Sequence, residues 1–340
     1  MPVASSGNIL FSSLIGKAEG TAGTSPSFGT AGRKFLVEPT GVITIGKTWD
    51  LGAERSVSLR NPIVATTATL VSNEPELSVS VPAISVGELP IWLSMMVGGT
   101  AAGTASPYTW DFNPTMGTGS NNPKSFSFIS ADAVGGTAAG GNAYLLNYCL
   151  PTEITISADR SGLTALSANL FAQNVAATTA VPAASTVVPT SPFMSGRLWN
   201  VATGTALGTA STFTAYNYAL DFNLTLNTGI TRQAYLAGTS TMVTHAEAGA
   251  FGGELTLTVQ SNKAANDTWV LGAQEFVKLS WTDGTYSVAI YASIIISDLQ
   301  PIAGSEDGLT TMTLTGTLAY DPVSAGTIRI VVGSDLSTLP

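Results

Sequence analysis

The side chains best suited to chemistry in this sequence are its one histidine, His245, and its one cysteine, Cys149. A Ser–His–Asp or Cys–His arrangement would have to use His245, which stands among small residues and far from Cys149 in sequence. The run His245-Ala246-Glu247 matches the first half of a zinc-deaminase signature, but that signature also needs a later P-C-x-x-C. A single cysteine excludes this site, a multi-cysteine metal site and an intrachain disulfide.

Two further patterns resemble ligand or catalytic sites. The glycine-rich run Gly135–Gly141 lacks the Gly-Lys-Ser/Thr ending of a phosphate loop, and no helix is predicted after it. A glycosidase needs two carboxylates at suitable spacing. The candidate acid pairs are Asp50 with Glu54, Glu74 with Glu76, and Glu306 with Asp307. All three pairs fall in predicted turns or at strand ends, with few aromatic residues around them. We therefore predict that the protein is not an enzyme and has no catalytic, cofactor or metal site.

The composition is unusual for a folded domain, because only 10 % of the 340 residues are charged and the mean hydropathy is +0.29. Soluble domains usually carry about 25 % charged residues. The longest apolar segment, Leu89–Val97, is far shorter than the roughly 20 residues of a spanning helix, so we expect no membrane insertion. Either the folded surface is rich in Thr, Ser and Ala, or partners cover most of it. We favour permanent assembly.

The charge balance argues against nucleic-acid binding through phosphates. The net charge is −9, and Arg33-Lys34 is the only adjacent pair among the thirteen basic residues. Binding to a phosphate backbone requires clustered Lys and Arg. The sequence begins without a basic segment followed by an apolar one, so we predict no secretory signal. Synthesis and folding are expected in a reducing cytoplasm.

Alternation of apolar and polar residues predicts strands throughout the chain. The clearest examples are Tyr218–Leu226, Glu254–Val259 and 311–320, each with apolar residues on one face. Two hairpins are also predicted. Glu153–Ala158 returns along Leu163–Phe171, and Phe276–Trp281 returns along Tyr286–Ile296 after the turn at Asp283-Gly284, whose residues both accept positive φ.

One helix is predicted over about Gly87 to Val97, with its apolar residues on one stripe and a left-handed ending at Gly98-Gly99. The rest of the chain consists of long loops rich in Gly, Thr, Ser, Ala and Pro. The most prominent loops cover about 17–32, 176–192 and 233–253, and loops of this length are usually functional, ordered by a partner, or disordered. We predict one β domain over 1–340 whose arms add to a neighbour's sheet edge.

The order of these elements resembles the tail tube proteins, or major tail proteins, of long-tailed phages with non-contractile tails. The strand and helix of Glu76–Gly98 carry the first part of this resemblance. The other matching pieces are Ala18–Thr24, Ser106–Phe112, Pro123–Phe128, the hairpin from Tyr148, and the closing segments Ser297–Pro301, Asp307–Thr310 and Leu314–Ala319. The sequence departs from the family pattern where Ala172–Arg197 and Gln233–Gly253 are longer than expected.

The resemblance implies an all-β fold, a mixed β-sandwich able to form a barrel between copies, with one short flanking helix. Copies would form a ring, six-fold by family expectation, and rings would stack into a tube for the genome. The implied partners are further copies, a tape measure protein, a tail terminator, tail-tip or baseplate proteins, and double-stranded DNA that passes without specific binding. The implied location is the virion tail, after synthesis in the host cytoplasm. The alternatives are another virion or cell-surface β module (decoration, tail-tip or adhesin protein) and a carbohydrate-active enzyme.

A tube that lets DNA slide should not be lined by Lys and Arg, because each phosphate contact adds affinity. We therefore expect some acidic residues to face the lumen. The candidates are Asp221, on the polar face of the strand 218–226, and Glu153, at the head of the central hairpin. The alternative is that both are ordinary solvated residues of the outer wall.

Overall fold

A computed structural model describes residues 13–28, 32–35, 37, 42–44, 46–50, 69–114, 122–131, 136–137, 143–178, 180–181, 191–207, 212–235, 244–247, 249–261 and 268–340. Strands dominate these residues, and the α-helix with described bounds is α1, Leu89–Met96. The prediction of an all-β fold with one short helix is confirmed.

The strands follow in chain order. They are β1 Ser13–Ala18, β2 Arg33–Phe35, β3 Val42–Thr44, β4 Lys47–Asp50, β5 Thr69–Asn73, β6 Glu76–Val81, β7 Ala101–Ala102, β8 Tyr108–Phe112, β9 Phe126–Ala131, β10 Gly136–Thr137, β11 Ala143–Asp159, β12 Ala165–Phe171, β13 Asn174–Thr178, β14 Ala180–Val181, β15 Trp199–Gly204, β16 Phe213–Tyr216, β17 Ala219–Asn227, β18 Ile230–Gln233, β19 Thr244–Glu247, β20 Gly252–Gln260, β21 Gln274–Thr282, β22 Ser287–Glu306, β23 Leu309–Leu318 and β24 Ile328–Ser334. A 3-10 turn covers Gly196–Leu198.

A large sheet has the strand order β3-β6-β12-β11-β17-β20-β23-β22. A second set of strands has the order β16-β15-β21-β22-β24-β8-β7. The first half of β11 also pairs with β13 and β9, β9 pairs with β1, and β1 pairs with β2. All pairings between the described strands are antiparallel.

The predicted alternation of buried and more exposed residues is present in the large sheet. One face of its central strands is fully buried and belongs to a core cluster that also contains residues of the second set of strands. The buried positions of this face include Ile154, Ile156, Leu224, Leu226, Leu255, Leu257, Met312 and Leu314. Tyr320, which continues the 311–320 pattern, lies beyond β23 and is exposed. The alternation therefore ends where the strand ends.

Both predicted hairpins are confirmed. In the first, Glu153 of β11 pairs with Asn169 of β12. In the second, Thr282 pairs with Ser287, and only the glycine of the predicted turn, Gly284, has positive φ (95°). The backbone of Asp283 stays outside the left-handed region. Its carboxylate accepts the N–H groups of Thr285 and Tyr286, at 2.8 and 2.7 Å. The turn is thus stabilised by a side chain rather than by two left-handed residues.

The helix lies where it was predicted, but all eight of its residues are buried. Trp92 packs against Phe35 and Phe128, with ring centroids 5.2 and 6.1 Å away. The predicted left-handed ending is wrong, because Val97 is extended (φ −139°, ψ 127°) and neither following glycine has positive φ. Gly99 is needed for space instead, since a Cβ there would lie 2.5 Å from the Phe112 ring. A helix enclosed by aromatic side chains needs no polar stripe.

The predicted arms are partly built into short strands. Residues 233–253 contain β19, which pairs with β18, while 236–243 and 248 lie outside the described residues. Residues 176–192 contain the end of β13 and all of β14, which pairs with β10, while 179 and 182–190 lie outside the described residues. Within 17–32, residues 29–31 lie outside, and Glu19 fastens the described part to the body. These strands are too short for alternation to reveal them.

Candidate functional site

The outward side of the large sheet is an extended surface of short polar side chains. Here we call it the polar face. Its members are Ser78, Ser80, Ser167, Asn169, Glu153, Thr155, Ser157, Asp159, Asp221, Asn223, Thr225, Asn227, Glu254, Thr256, Thr258, Gln260, Thr313, Thr315 and Thr317. Register brings them into rows, so that Thr155 lies beside Thr225 and Thr225 lies beside Glu254. None of these residues is Lys or Arg.

Side chains of the polar face bond to one another across the strands. The Thr155 and Thr225 hydroxyls are 3.2 Å apart, and Ser78 donates to the Asn169 amide oxygen at 2.9 Å. A second hydroxyl pair, Thr256 with Thr315, is 3.3 Å apart. Cross-strand pairs of this kind stabilise a sheet and hold the side chains close to it. The surface can bind water, but it offers no cation to hold a phosphate.

Both predicted lumen residues lie on this polar face. Glu153 is half-buried, and Asn169 donates to it at 3.4 Å. Asp221 pairs with Asp159 across β11 and β17. Burial raises the pKa of Asp221, the bond from Thr258 opposes that rise, and the charges of Glu306 and Asp159 add to it. The structure therefore brings the two candidates onto one surface, at different levels of the strands.

Arg160 and Arg232 lie beside the polar face, and acids engage both. Arg160 forms ion pairs with Glu306, at 3.0 Å, and with Asp307 at the β22–β23 turn. Arg232 lies 3.4 Å from Glu74 and 3.4 Å from Glu76, and it donates to the Pro75 carbonyl at 2.7 Å. These ion pairs account for two of the acid pairs weighed as catalytic candidates. In the third pair, the side chain of Asp50 and all of Glu54 lie outside the described residues.

A small cavity of about 100 Å³ opens beside the polar face, lined in part by Arg160, Arg197, Trp199 and Asp221. The Trp199 ring meets the Phe222 ring edge-on at 4.9 Å, and its Nε1 donates to the Thr164 hydroxyl at 2.8 Å. Sequence reasoning missed this cavity, because its lining comes from separate segments with no shared spacing. Its side chains could hold a small polar group but include no activated nucleophile.

His245 contacts Tyr148, whereas Cys149 is buried in the core. The Tyr148 hydroxyl is 2.8 Å from His245 Nδ1, and the two rings meet edge-on. Cys149 lies in the core, where burial and the nearby charge of Glu19 hold the pKa of its thiol well above the usual range. A thiol in that state is a poor nucleophile. Among the described residues, no three His, Cys, Asp or Glu side chains are grouped to hold a metal ion.

No protein-family model matches this chain, and no curated protein matches it either. Within the part of the chain that the structure describes, no helix is long and apolar enough to cross a membrane.

Proposed function

We propose that the protein is a structural component of a phage tail. Copies of it assemble into six-fold rings, and the stacked rings form the tube through which double-stranded DNA passes. The polar face of the large sheet lines that tube. The observation that carries the proposal is the composition of the polar face: across six adjacent strands it presents hydroxyls, amides and a few acids, and no Lys or Arg.

A lining of this kind suits a channel for DNA because it offers little for the phosphates to bind. Duplex DNA carries one negative charge per roughly 1.7 Å, and each phosphate neutralised by a cation adds salt-dependent affinity. The acids of the polar face, Glu153, Asp159, Asp221 and Glu254, repel that charge. Of the arginines beside the polar face, Arg160 and Arg232 are engaged by acids, and Arg197 lies at the small cavity next to Asp221. DNA would therefore slide without a strong binding step.

Exposed apolar side chains elsewhere support association between copies. Val323 is 86 % exposed and Ile302 is 79 % exposed, and Val270, Leu271 and Ile295 are exposed around the start of β21. Single exposed apolar side chains are ordinary, but Val270, Leu271 and Ile295 lie close together, and a contiguous apolar patch usually marks a contact. The proposed partners are further copies, a tape measure protein inside the tube, and terminator and tail-tip proteins at its ends.

Electron microscopy of the purified protein tests the assembly. Rings or tubes are expected, and a rotational count of the ring gives the number of copies. Dispersed monomers that bind glycans would overturn the proposal in favour of a surface module. Turnover of a sugar substrate would overturn it in favour of an enzyme.

Charge reversal tests the lumen. The double variant Glu153→Lys with Glu254→Lys should still assemble, since neither side chain reaches the core. Virions carrying it should eject DNA more slowly than wild type, and added salt should relieve the defect. The control adds the same charge on the second set of strands, through Asn200→Lys, Thr214→Lys, Ser280→Lys and Ser287→Lys, and should leave ejection unchanged. Equal ejection rates in the two variants would show that the polar face does not line the lumen.

A further inference from the structure

A group of polar side chains is buried at the N-terminal end of α1. It consists of Arg33 from β2, Ser85 and Glu88 from the segment before the helix, and Ser191, with exposed fractions of 6, 0, 0 and 4 %. Charged side chains are almost never buried to this degree unless they are paired. Three separate segments of the chain therefore meet here through polar groups.

The spacing at Gly87 shows how tightly the group is packed and adds a fourth segment. A Cβ at Gly87 would lie 2.3 Å from the Ser191 hydroxyl, 2.6 Å from a carboxylate oxygen of Asp335, and 3.1 Å from the Arg33 guanidinium. Asp335 follows β24 directly. Glycine is thus required at this position so that the polar groups can approach the backbone.

Several atoms of this group have no hydrogen-bond partner. They are both carboxylate oxygens of Glu88, the hydroxyls of Ser85 and Ser191, and Nε of Arg33. Buried polar atoms without partners are rare, and each one calls for an explanation. An ionised carboxylate in this position would lack the bonds that normally compensate for its burial. A protonated carboxyl group would instead bring a donor to the hydroxyl oxygens around it.

The charges that face Glu88 also favour its protonated, neutral form. Arg33 supplies one positive charge, and it faces two carboxyl groups, those of Glu88 and Asp335. One arginine can neutralise only one of them. Burial raises the pKa of Glu88 to about 7, while the charge of Arg33 and the nearby N–H and hydroxyl of Ser85, which fall short of hydrogen-bond geometry, oppose the rise. Burial also lowers the pKa of Arg33, against the attraction of both acids.

We propose that Glu88 is a proton-operated latch that fastens the segment 191–195 to the body of the protein. This segment is bonded directly to the residues before the helix: the Val86 N–H donates to the Pro192 carbonyl at 3.2 Å, and the Met194 N–H donates to the Ile84 carbonyl at 3.1 Å. With the proton bound, Glu88 is neutral and the four segments stay joined. Loss of the proton leaves an uncompensated charge between them and loosens the segment.

The direction of the pH effect follows from the raised pKa. A carboxyl group whose pKa is higher in the folded protein stabilises it fully below the unfolded pKa, and the effect is lost as pH rises through the folded value. The latch is therefore closed in mild acid and opens as pH rises through about 7. The full span from 4.5 to about 7 corresponds to roughly 300-fold in the equilibrium between open and closed forms.

Hydrogen exchange measured on the two sides of that pKa tests the latch. In the wild type, protection of the amides of residues 84–86, 191 and 193–195 should fall about tenfold from one pH unit below the Glu88 pKa to one unit above it, after correction for the intrinsic rate. Glu88→Gln, which keeps the shape and stays neutral, should show no such fall. The control Glu254→Gln, an exposed acid of β20, should behave as wild type.

A titration of the wild type keeps the proposal testable if Glu88→Gln does not fold. Carbon NMR of glutamate-labelled protein should show one side-chain carboxyl signal with a midpoint near 7. If every glutamate signal titrates at its ordinary value, the latch does not exist. Protection that changes equally with pH in the wild type and in Glu88→Gln would overturn it as well. Neither measurement depends on tube assembly, so a failure here leaves the proposed function untouched.

Discussion

Among the residues that the structure describes, replacing Glu19 should cost more stability than a change to any other partly exposed acid. Its carboxylate accepts four hydrogen bonds. One oxygen accepts from the Ser127 hydroxyl at 2.6 Å and from the Tyr148 N–H at 2.7 Å. The other accepts from the Ser125 hydroxyl at 2.8 Å and from the Gly23 N–H at 2.8 Å. A single side chain thus ties the turn after β1 to β9 and to β11.

The magnitude follows from these contacts. Each hydrogen bond to a charged group contributes about 1.5–3 kcal/mol, but the four share one acceptor and are not additive, and water can reach a half-exposed site. We expect Glu19→Ala to lower the free energy of unfolding by about 3–4 kcal/mol. Tyr148 adds to the cost, because its backbone has a φ of 54° and the bond that its N–H donates to Glu19 helps to hold it there.

Glu19→Gln removes the negative charge and keeps the shape of the side chain. Its amide oxygen can still accept two bonds, while its NH₂ group faces the Ser125 hydroxyl and the Gly23 N–H. The hydroxyl can rotate to accept, but a backbone N–H cannot. One orphaned donor predicts a loss of about 1–2 kcal/mol.

Urea denaturation measures the free energy of unfolding of the wild type, Glu19→Ala and Glu19→Gln, provided that the slope m is the same for all three. The control Glu254→Ala, on the exposed side of β20, should stay within about 0.5 kcal/mol of wild type. The expected order of destabilisation is Glu19→Ala, then Glu19→Gln, then the control. If Glu19→Ala matched the control, the hydrogen bonds described here would not be contributing to stability.

Two further predictions concern packing and assembly. Gly99→Val should lower the free energy of unfolding by about 1–3 kcal/mol, because its Cβ would collide with an aromatic ring; thermal unfolding measures this, and Gly162→Ala, with open space around it, is the control. Deletion of 182–190, which spares β14 and Ser191, should give a folded monomer that does not polymerise. Gel filtration and electron microscopy check the second prediction, and tubes of normal appearance would contradict it.

Local patterning was enough to predict the long strands of the large sheet and both hairpins. The strand 218–226 alternates because one side of it faces the core, so Phe222, Leu224 and Leu226 are buried as expected. The same alternation placed Asp221 on the outward side. A period of two is a property of neighbouring residues, and the sequence displays it directly.

Features that depend on distant residues could not be predicted in this way. Residue 99 must be glycine because the Phe112 ring occupies the space beside it, and nothing near Gly99 in sequence reveals that ring. The cavity at Trp199 and the polar group around Glu88 are likewise assembled from separate segments. In the sequence, Glu88 is only an acid next to the start of a predicted helix, and its burial gives it a different chemistry.

The length of β22 has a consequence for how the chain folds. Its first half pairs with β21 and β24, and its second half pairs with β23. A strand shared in this way cannot fray in one sheet without disturbing the other, so the two should melt in one cooperative transition rather than in sequence. The same sharing requires contacts between residues far apart in the chain before either sheet is complete. Folding should accordingly be slow, and a partly folded chain would expose the edges of both sheets at once.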